Sequence, residues 1–208
     1  MHTEYKQLID ELVREGVLKT PAIIDAFKSV DRRNFVLPEH KDEAYADSAF
    51  PIGYGQTISQ PYTVAFMLEL LQPQKGDRIL DIGSGSGWTT ALLAHIVGKD
   101  GFVYGVERVP ELVAFGKQNL AKTFFENAEI TEAGETLGLP RHAPYKKILV
   151  SAADTRVPEE LTEQLERGGI LVIPVLGGIE KIEKDAEGET AGARYEGFRF
   201  VPLVYTKN

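Results

Sequence analysis

Residues 79–88 read ILDIGSGSGW. A short apolar run carries one acid, Asp81. Gly83, Gly85 and Gly87 then alternate with Ser84 and Ser86, and an apolar helical stretch opens at Trp88. A strand, a turn of small residues and a helix make the junction at which doubly wound sheets hold ligands, in the crevice beyond a strand's carboxyl end. Glycine lets such a turn bend sharply and brings backbone close to whatever it holds. The spacing is G-x-G-x-G. Trp88 stands where a dinucleotide fingerprint has its third glycine, and the G-K-[ST] of a P-loop is missing. The turn makes no obvious provision for a pyrophosphate.

Working outward, strand-like apolar runs at residues 78–82, 102–106, 129–131, 147–151 and 170–175 alternate with helical stretches at 88–97, 110–123 and 158–167. This alternation predicts an α/β fold with a doubly wound, mainly parallel sheet. Upstream, Leu8, Ile9, Leu12 and Val13 recur at helical spacing up to Gly16, and Thr20-Pro21 reads as N-cap and first turn of a second helix with Ile23, Ile24, Phe27 and Val30. Downstream, residues 179–184 and 194–205 read as two strands around the turn DAEGETAG, an antiparallel hairpin at the sheet edge. The expected organisation is one domain over 1–208. It comprises N-terminal helices and a loop (1–60), a ligand-binding core (61–175) and C-terminal strands (176–208).

The 208 residues are enough for such a domain, and 43% hydrophobic with 26% charged content is ordinary for a globular chain. A net charge of −8 argues against a sequence-independent grip on nucleic acid, which needs clustered cations. With no cysteine, disulfides, thiolate metal sites and a cysteine nucleophile are excluded. His2, His40, His95 and His142 are scattered without metal-ligand spacing, so no metal is expected. The N-terminus lacks an apolar signal core, and no stretch approaches a membrane span. A cytoplasmic monomer with no membrane partner is the expectation.

The acid at the strand and the G-x-G-x-G turn resemble motif I of the class I S-adenosylmethionine-dependent methyltransferases. That resemblance implies cofactor contacts from Asp81, Gly83, Ser84, Gly85, Ser86 and Gly87. Glu107 follows the second strand, VYGVE, where a carboxylate can accept from both ribose hydroxyls. Arg108 adjoins it. Gly134 and Glu135 follow the third strand, where the family tends to carry an acid on the adenine side. Here the context is A-G-E, and Glu135 reads equally as a solvated loop acid. A glycine turn without ligand and a nicotinamide cofactor are the competing readings.

Residues 50–61, FPIGYGQTISQP, have two Gly, two Pro and no charge. They can form neither a regular helix nor a central strand, and they are too apolar for a solvated linker. They read as an ordered loop packed on the core. A methyl acceptor that is a carboxylate needs no general base, since it is ionised well below neutral pH. It asks for neutral donors such as Tyr54, Thr57, Ser59 and Gln60, because an acidic base would repel it.

The blocks AYADSAFPIGYGQTISQPYTVAFML, IIDAFKSVDRRNFV, ERVPEL, LGLPRHAPYKKILVSAA, EQLERGGILVIPV and RFVPLVY resemble the protein-L-isoaspartate O-methyltransferase family. They cover nearly the whole chain. The resemblance implies transfer of a methyl group from S-adenosyl-L-methionine to the free α-carboxylate of isoaspartyl residues in damaged proteins or peptides. S-adenosyl-L-homocysteine is the by-product, and the ester collapses to a succinimide that opens a route back to aspartate. It makes Ser59 the active-site residue, with Thr57, Ile58, Gln60 and Val175 on the substrate side. Ser59 also reads as a helix N-cap before Gln60-Pro61, and no His or acid has the spacing to make it a covalent nucleophile. Two departures stand out: Asp154-Thr155-Arg156 where small residues or Pro are usual, and Leu176 opening a segment several residues short, whose backbone helps hold substrate in the family. A methyltransferase acting on a small molecule, and a non-catalytic cofactor-binding module, stay open. Trp88 is expected to edge the ligand pocket and His95 to lie at the surface. Arg32-Arg33 and Lys146-Lys147 are expected as solvated charges, and Tyr195, Phe198, Phe200 and Tyr205 as sheet residues.

Overall fold

The computed structural model describes residues 2–205. Helix α1 (Thr3–Arg14) buries Tyr5, Leu8, Ile9 and Leu12 and ends at Gly16, whose φ of 74° suits a residue without Cβ. Val13 is 41% exposed, and Val17 and Leu18 fill the core just beyond the helix instead. Helix α2 (Pro21–Ser29) starts at Pro21. The Thr20 hydroxyl does not cap it but donates to Glu69 Oε2 at 2.7 Å, tying the helix to a later one.

The long connection that follows is structured throughout. Two 3-10 turns (Arg32–Asn34, Pro38–Glu43) lead into a hairpin, β1 (Phe50–Gly53) and β2 (Gln56–Ile58). Its two-residue turn puts Tyr54 at φ 54° and Gly55 at φ 71°, as hairpins of the I′ class require. The uncharged stretch is therefore a two-stranded ribbon beside the main sheet. Helix α3 (Pro61–Leu71) follows it, nearly all apolar because it lies between the N-terminal helices and the sheet.

The main sheet is then laid down by β3 (Arg78–Ile82), α4 (Trp88–Val97), β4 (Phe102–Glu107), α5 (Pro110–Leu120), β5 (Ala128–Glu132), β6 (Tyr145–Val150), α6 (Glu159–Glu163), β7 (Leu165–Val175), β8 (Gly178–Lys184) and β9 (Thr190–Glu196). The strand order is β5-β4-β3-β6-β7-β8-β9, parallel from β5 to β7 and antiparallel beyond. The chain winds outward from β3 through β4 to β5, then crosses back to place β6 on the other side of β3. That reversal creates the crevice at the carboxyl ends of β3, β4 and β6. Strands buried on both faces read as continuous apolar runs, as in β3, whose residues 79–82 are all buried.

Several boundaries differ from those read in the sequence. The helix expected over 158–167 stops at Glu163, because the Gln164 carbonyl accepts from Tyr145 N–H and its side chain bridges Leu137, Leu139 and Glu160. The sheet hairpin turns earlier, around Asp185, whose Oδ1 takes the N–H groups of Glu187, Gly188 and Glu189. The last strand is thus 190–196 rather than 194–205. Residues 198–205 instead return across the carboxyl ends of the strands and meet Ala153 through Pro202.

Candidate functional site

A cavity of about 430 Å³ opens at the switch point, within the usual size range for small-ligand sites. It is lined by the hairpin and its exit (Ile52, Thr57, Ile58, Ser59), the glycine turn (residues 83–86) with the start of α4 (Trp88, Thr89), the ends of β4 and β5, the residues after β6 (Ser151, Ala152), and the returning tail (201–205).

The glycine turn is held from below and from the side. Gly83 and Ser84 N–H donate to Val106 O at 2.9 and 3.1 Å, fastening the turn to β4. Gly87 begins α4 at φ 85°, and a Cβ there would lie 3.0 Å from Gly116 O. Gly116 has the same constraint from α5, since a Cβ on it would lie 2.8 Å from Gly85 O. Glu107 supplies the third support. Its Oε2 accepts from Gly85 N–H at 3.0 Å, and its Oε1 from Arg108 and Val109 N–H at 2.7 and 2.9 Å. Three of about four acceptor positions are used, so one remains for a ligand hydroxyl, and the same carboxylate sets the shape of the turn.

Asp81 does not line the cavity. It is fully buried behind it, and its Oδ2 accepts from the hydroxyls of Thr89 and Thr90 at 2.8 and 2.6 Å. Burial pushes its carboxyl up to about 6, against the pull of the Thr90 and Thr89 hydroxyls. Asp81 thus clamps the start of α4 to β3. Gly87 is also absent from the lining, while Arg108, Gly134 and Glu135 are part of it.

On the other wall, Thr57, Ile58 and Ser59 line the cavity and Gln60 does not. The Gln60 amide donates to Asp47 Oδ2 at 2.9 Å, and Asp47 Oδ1 takes Tyr62 N–H at 2.8 Å. Asp47 therefore provides the cap on α3 that the sequence suggested for Ser59. The N-cap position is Gln60, without a side-chain bond. The Ser59 hydroxyl has no hydrogen-bond partner among the described residues and is available to a ligand.

Val175 is buried at the end of β7, outside the lining. The short segment after it is a two-residue turn, Leu176 at φ 44° and Gly177 at φ 85°, that joins β7 to β8 and leaves Leu176 66% exposed. The wall expected there is made instead by the tail. Tyr205, in the lining, donates its hydroxyl to Asp154 Oδ2 at 2.6 Å, and Leu203 N–H reaches Ala153 O at 2.7 Å. Burial, followed by the Asp154 hydrogen bond, pushes the Tyr205 phenol up to about 12. The unusual Asp154 is the anchor of this wall. The signal was the pairing of that acid with the unbroken apolar run FVPLVY over residues 200–205.

Trp88 lines the cavity as expected and packs edge-on against Phe27 at 5.5 Å. His95 lies at the surface, 2.8 Å from Asp25. Arg32 departs from expectation: it is wholly buried rather than solvated, its guanidinium 5.3 Å from the ring centroids of both Phe50 and Trp88.

A buried acid, an alternating glycine turn and a second acid at the switch point of a doubly wound sheet define a class I S-adenosylmethionine-dependent methyltransferase. Two polar atoms of the lining, Ser84 Oγ and Trp88 Nε1, are buried without a protein partner. Such atoms are costly unless a ligand or water satisfies them, so the residues present fit a bound polar cofactor. Among the described residues no cluster of His, Asp or Glu is arranged to hold a metal.

The chain belongs to the protein-L-isoaspartate(D-aspartate) O-methyltransferase family, whose description it matches over residues 3–208. It is 44% identical to the protein-L-isoaspartate O-methyltransferase of Thermococcus onnurineus over 94% of this chain and 91% of that one. It is 45% identical to that of Staphylothermus marinus over 97% and 94%. A crystal structure of a protein-L-isoaspartate O-methyltransferase from Plasmodium falciparum, in complex with S-adenosyl-L-homocysteine, superposes with a TM-score of 0.86 at 26% identity, over 99% of this chain and 100% of that one.

Proposed function

We propose that this chain transfers a methyl group from S-adenosyl-L-methionine to the free α-carboxylate of L-isoaspartyl residues in proteins or peptides, forming an ester that collapses to a succinimide and so begins repair. The carrying observation is that the glycine turn with Glu107 and the T-I-S stretch of the hairpin line one cavity. Family membership supplies the acceptor.

Bound there, S-adenosyl-L-methionine supplies a methyl group whose transfer to a carboxylate oxygen leaves S-adenosyl-L-homocysteine and moves no proton. Residues 83–86, Glu107, Arg108, Gly134 and Glu135 hold the cofactor from the sheet side, with Asp81 and Gly87 fixing their geometry from behind. Thr57, Ile58 and Ser59 hold the acceptor. The Ser59 hydroxyl would donate to the acceptor carboxylate and orient it, and Gln60 keeps this stretch in place through Asp47. An ionised acceptor needs no base, so the chain's contribution is orientation and exclusion of water. The connection after Val175, whose shortness left a small-molecule acceptor open, lies outside the cavity.

The same reading takes the chain as a single domain, since N-terminal hairpin, sheet and tail all contribute to the cavity. It takes it as a cytoplasmic monomer that uses neither nucleic acid nor membrane. The net charge of −8 and the lack of cysteine fit this, and no helix among the described residues is long and apolar enough to cross a membrane. The test is to incubate the protein with the cofactor and an isoaspartyl peptide and analyse the product by mass spectrometry. A methyl ester on the free α-carboxylate, and none on the peptide bearing an α-carboxamide, is expected. Methylation at another nucleophile overturns the assignment.

A further inference from the structure

Arg32 is the one wholly exposure-free cation among the described residues. Its Nη1 donates to the carbonyls of Ala44 and Ala46 at 2.7 and 3.5 Å, and its Nη2 to those of Ser48 and Ser59 at 2.8 and 3.1 Å. Its guanidinium lies over Phe50 on the hairpin and Trp88 on α4, 5.3 Å from each ring centroid. Both rings offer a negative face to it. No carboxylate among the described residues lies within ion-pair distance of it. Asp47 acts on it only from farther away, and that carboxylate is already engaged by Gln60 and Tyr62 N–H.

An uncompensated charge in a low-dielectric place is expensive, and an apolar side chain with the carbonyls satisfied locally is the cheaper solution. Its position suggests what the charge is for. Ser59 presents its carbonyl to Arg32 and its residue surface to the cavity, so the cation sits one residue behind the wall that meets the acceptor. There its field is weakly screened, and without direct contact it neither neutralises the nucleophilic oxygen nor competes with it.

We propose that Arg32 is a specificity-determining residue, a buried cation behind Ser59 whose field favours an anionic acceptor over its neutral isostere. The proposal rests on the carboxylate-methylating reading given above. Its second role is positional. The guanidinium fork ties both ends of the hairpin to Trp88, so the acceptor wall and the cofactor wall share one support.

The test measures binding of two isoaspartyl peptides, one with the free α-carboxylate and one with an α-carboxamide, to the enzyme saturated with S-adenosyl-L-homocysteine. Wild type should prefer the carboxylate; if it does not, the reading of function fails and not this proposal. In Arg32→Met that preference should shrink roughly tenfold, over and above any weakening common to both peptides. Arg32→Lys should keep most of the preference while kcat falls, because the charge remains and the fork is lost. Equal weakening of both peptides in Arg32→Met, with the preference intact, reduces Arg32 to scaffolding and overturns the proposal. Arg32→Gln, which keeps one donor for the carbonyls, replaces the Met variant if that one does not fold. The wild-type preference should also change less than about twofold between roughly 0.05 and 0.5 M salt, as expected of a buried charge. A preference that collapses with salt assigns the selectivity to exposed Arg108 instead.

Discussion

Glu107 Oε2 accepts the Gly85 N–H at 3.0 Å. The last residue of β4 thereby holds the middle glycine of the turn that leaves β3, and the second acid of the site is as much a brace as a ligand-binding group. Glu107→Gln places an amide donor against one of three backbone N–H donors. The loss of charge-assisted bonds costs about 1.5–3 kcal/mol each, so affinity for S-adenosyl-L-homocysteine should fall by at least about tenfold. Calorimetric titration reads this directly; unchanged affinity removes Glu107 from the cofactor site.

Ser59→Ala removes a hydroxyl that is free in the protein and lines the cavity. The methylation rate should fall by roughly tenfold or more, as when one positioned donor is lost. Cofactor affinity should stay within about twofold, and the melting temperature should not move, since Ser59 does not cap α3. Equal turnover of variant and wild type takes Ser59 out of the site.

Tyr205→Phe breaks the 2.6 Å bond to Asp154 that fastens the tail over the cavity. A loss of about 1 kcal/mol corresponds to cofactor binding about fivefold weaker. The comparison is again a titration with S-adenosyl-L-homocysteine. Binding equal to wild type shows that the tail holds its place without this latch.

Asp81 makes a prediction about pH. Burial raises its carboxyl from 3.8 to about 6 in the folded protein, so between these values the folded state binds more protons than the unfolded one. Stability from this group is therefore complete below about pH 4 and is lost as pH rises through 6, by about 3 kcal/mol for two units. Asp81→Asn does not titrate. Its melting temperature relative to wild type should rise between about pH 4 and pH 7 without cofactor. A difference that does not vary with pH contradicts the assignment.

The glycine turn, the alternation behind the parallel sheet and the T-I-S stretch were legible because each depends on local chemistry: φ above zero, continuous apolar burial, and neutral donors in an uncharged run. What was not legible depends on partners distant in the chain. Arg32 looked like an ordinary surface cation because the four carbonyls that take it come from residues 44–59. The family resemblance sets Val175 on the substrate side, yet the cavity wall in that region is lined by the tail, which is held by Asp154 and Tyr205, 51 residues apart. Capping by Asp47 rather than Ser59 is the same lesson over 15 residues.

One cavity, lined by the glycine turn and by the T-I-S stretch, has to bring a methyl donor to an isoaspartyl carboxylate. Labelled S-adenosyl-L-methionine should be incubated with the protein and matched peptides that differ only in an isoaspartyl or an aspartyl linkage. Base-labile label in the isoaspartyl peptide alone is the predicted result. Bound cofactor with no label in either peptide, or equal label in both, contradicts it.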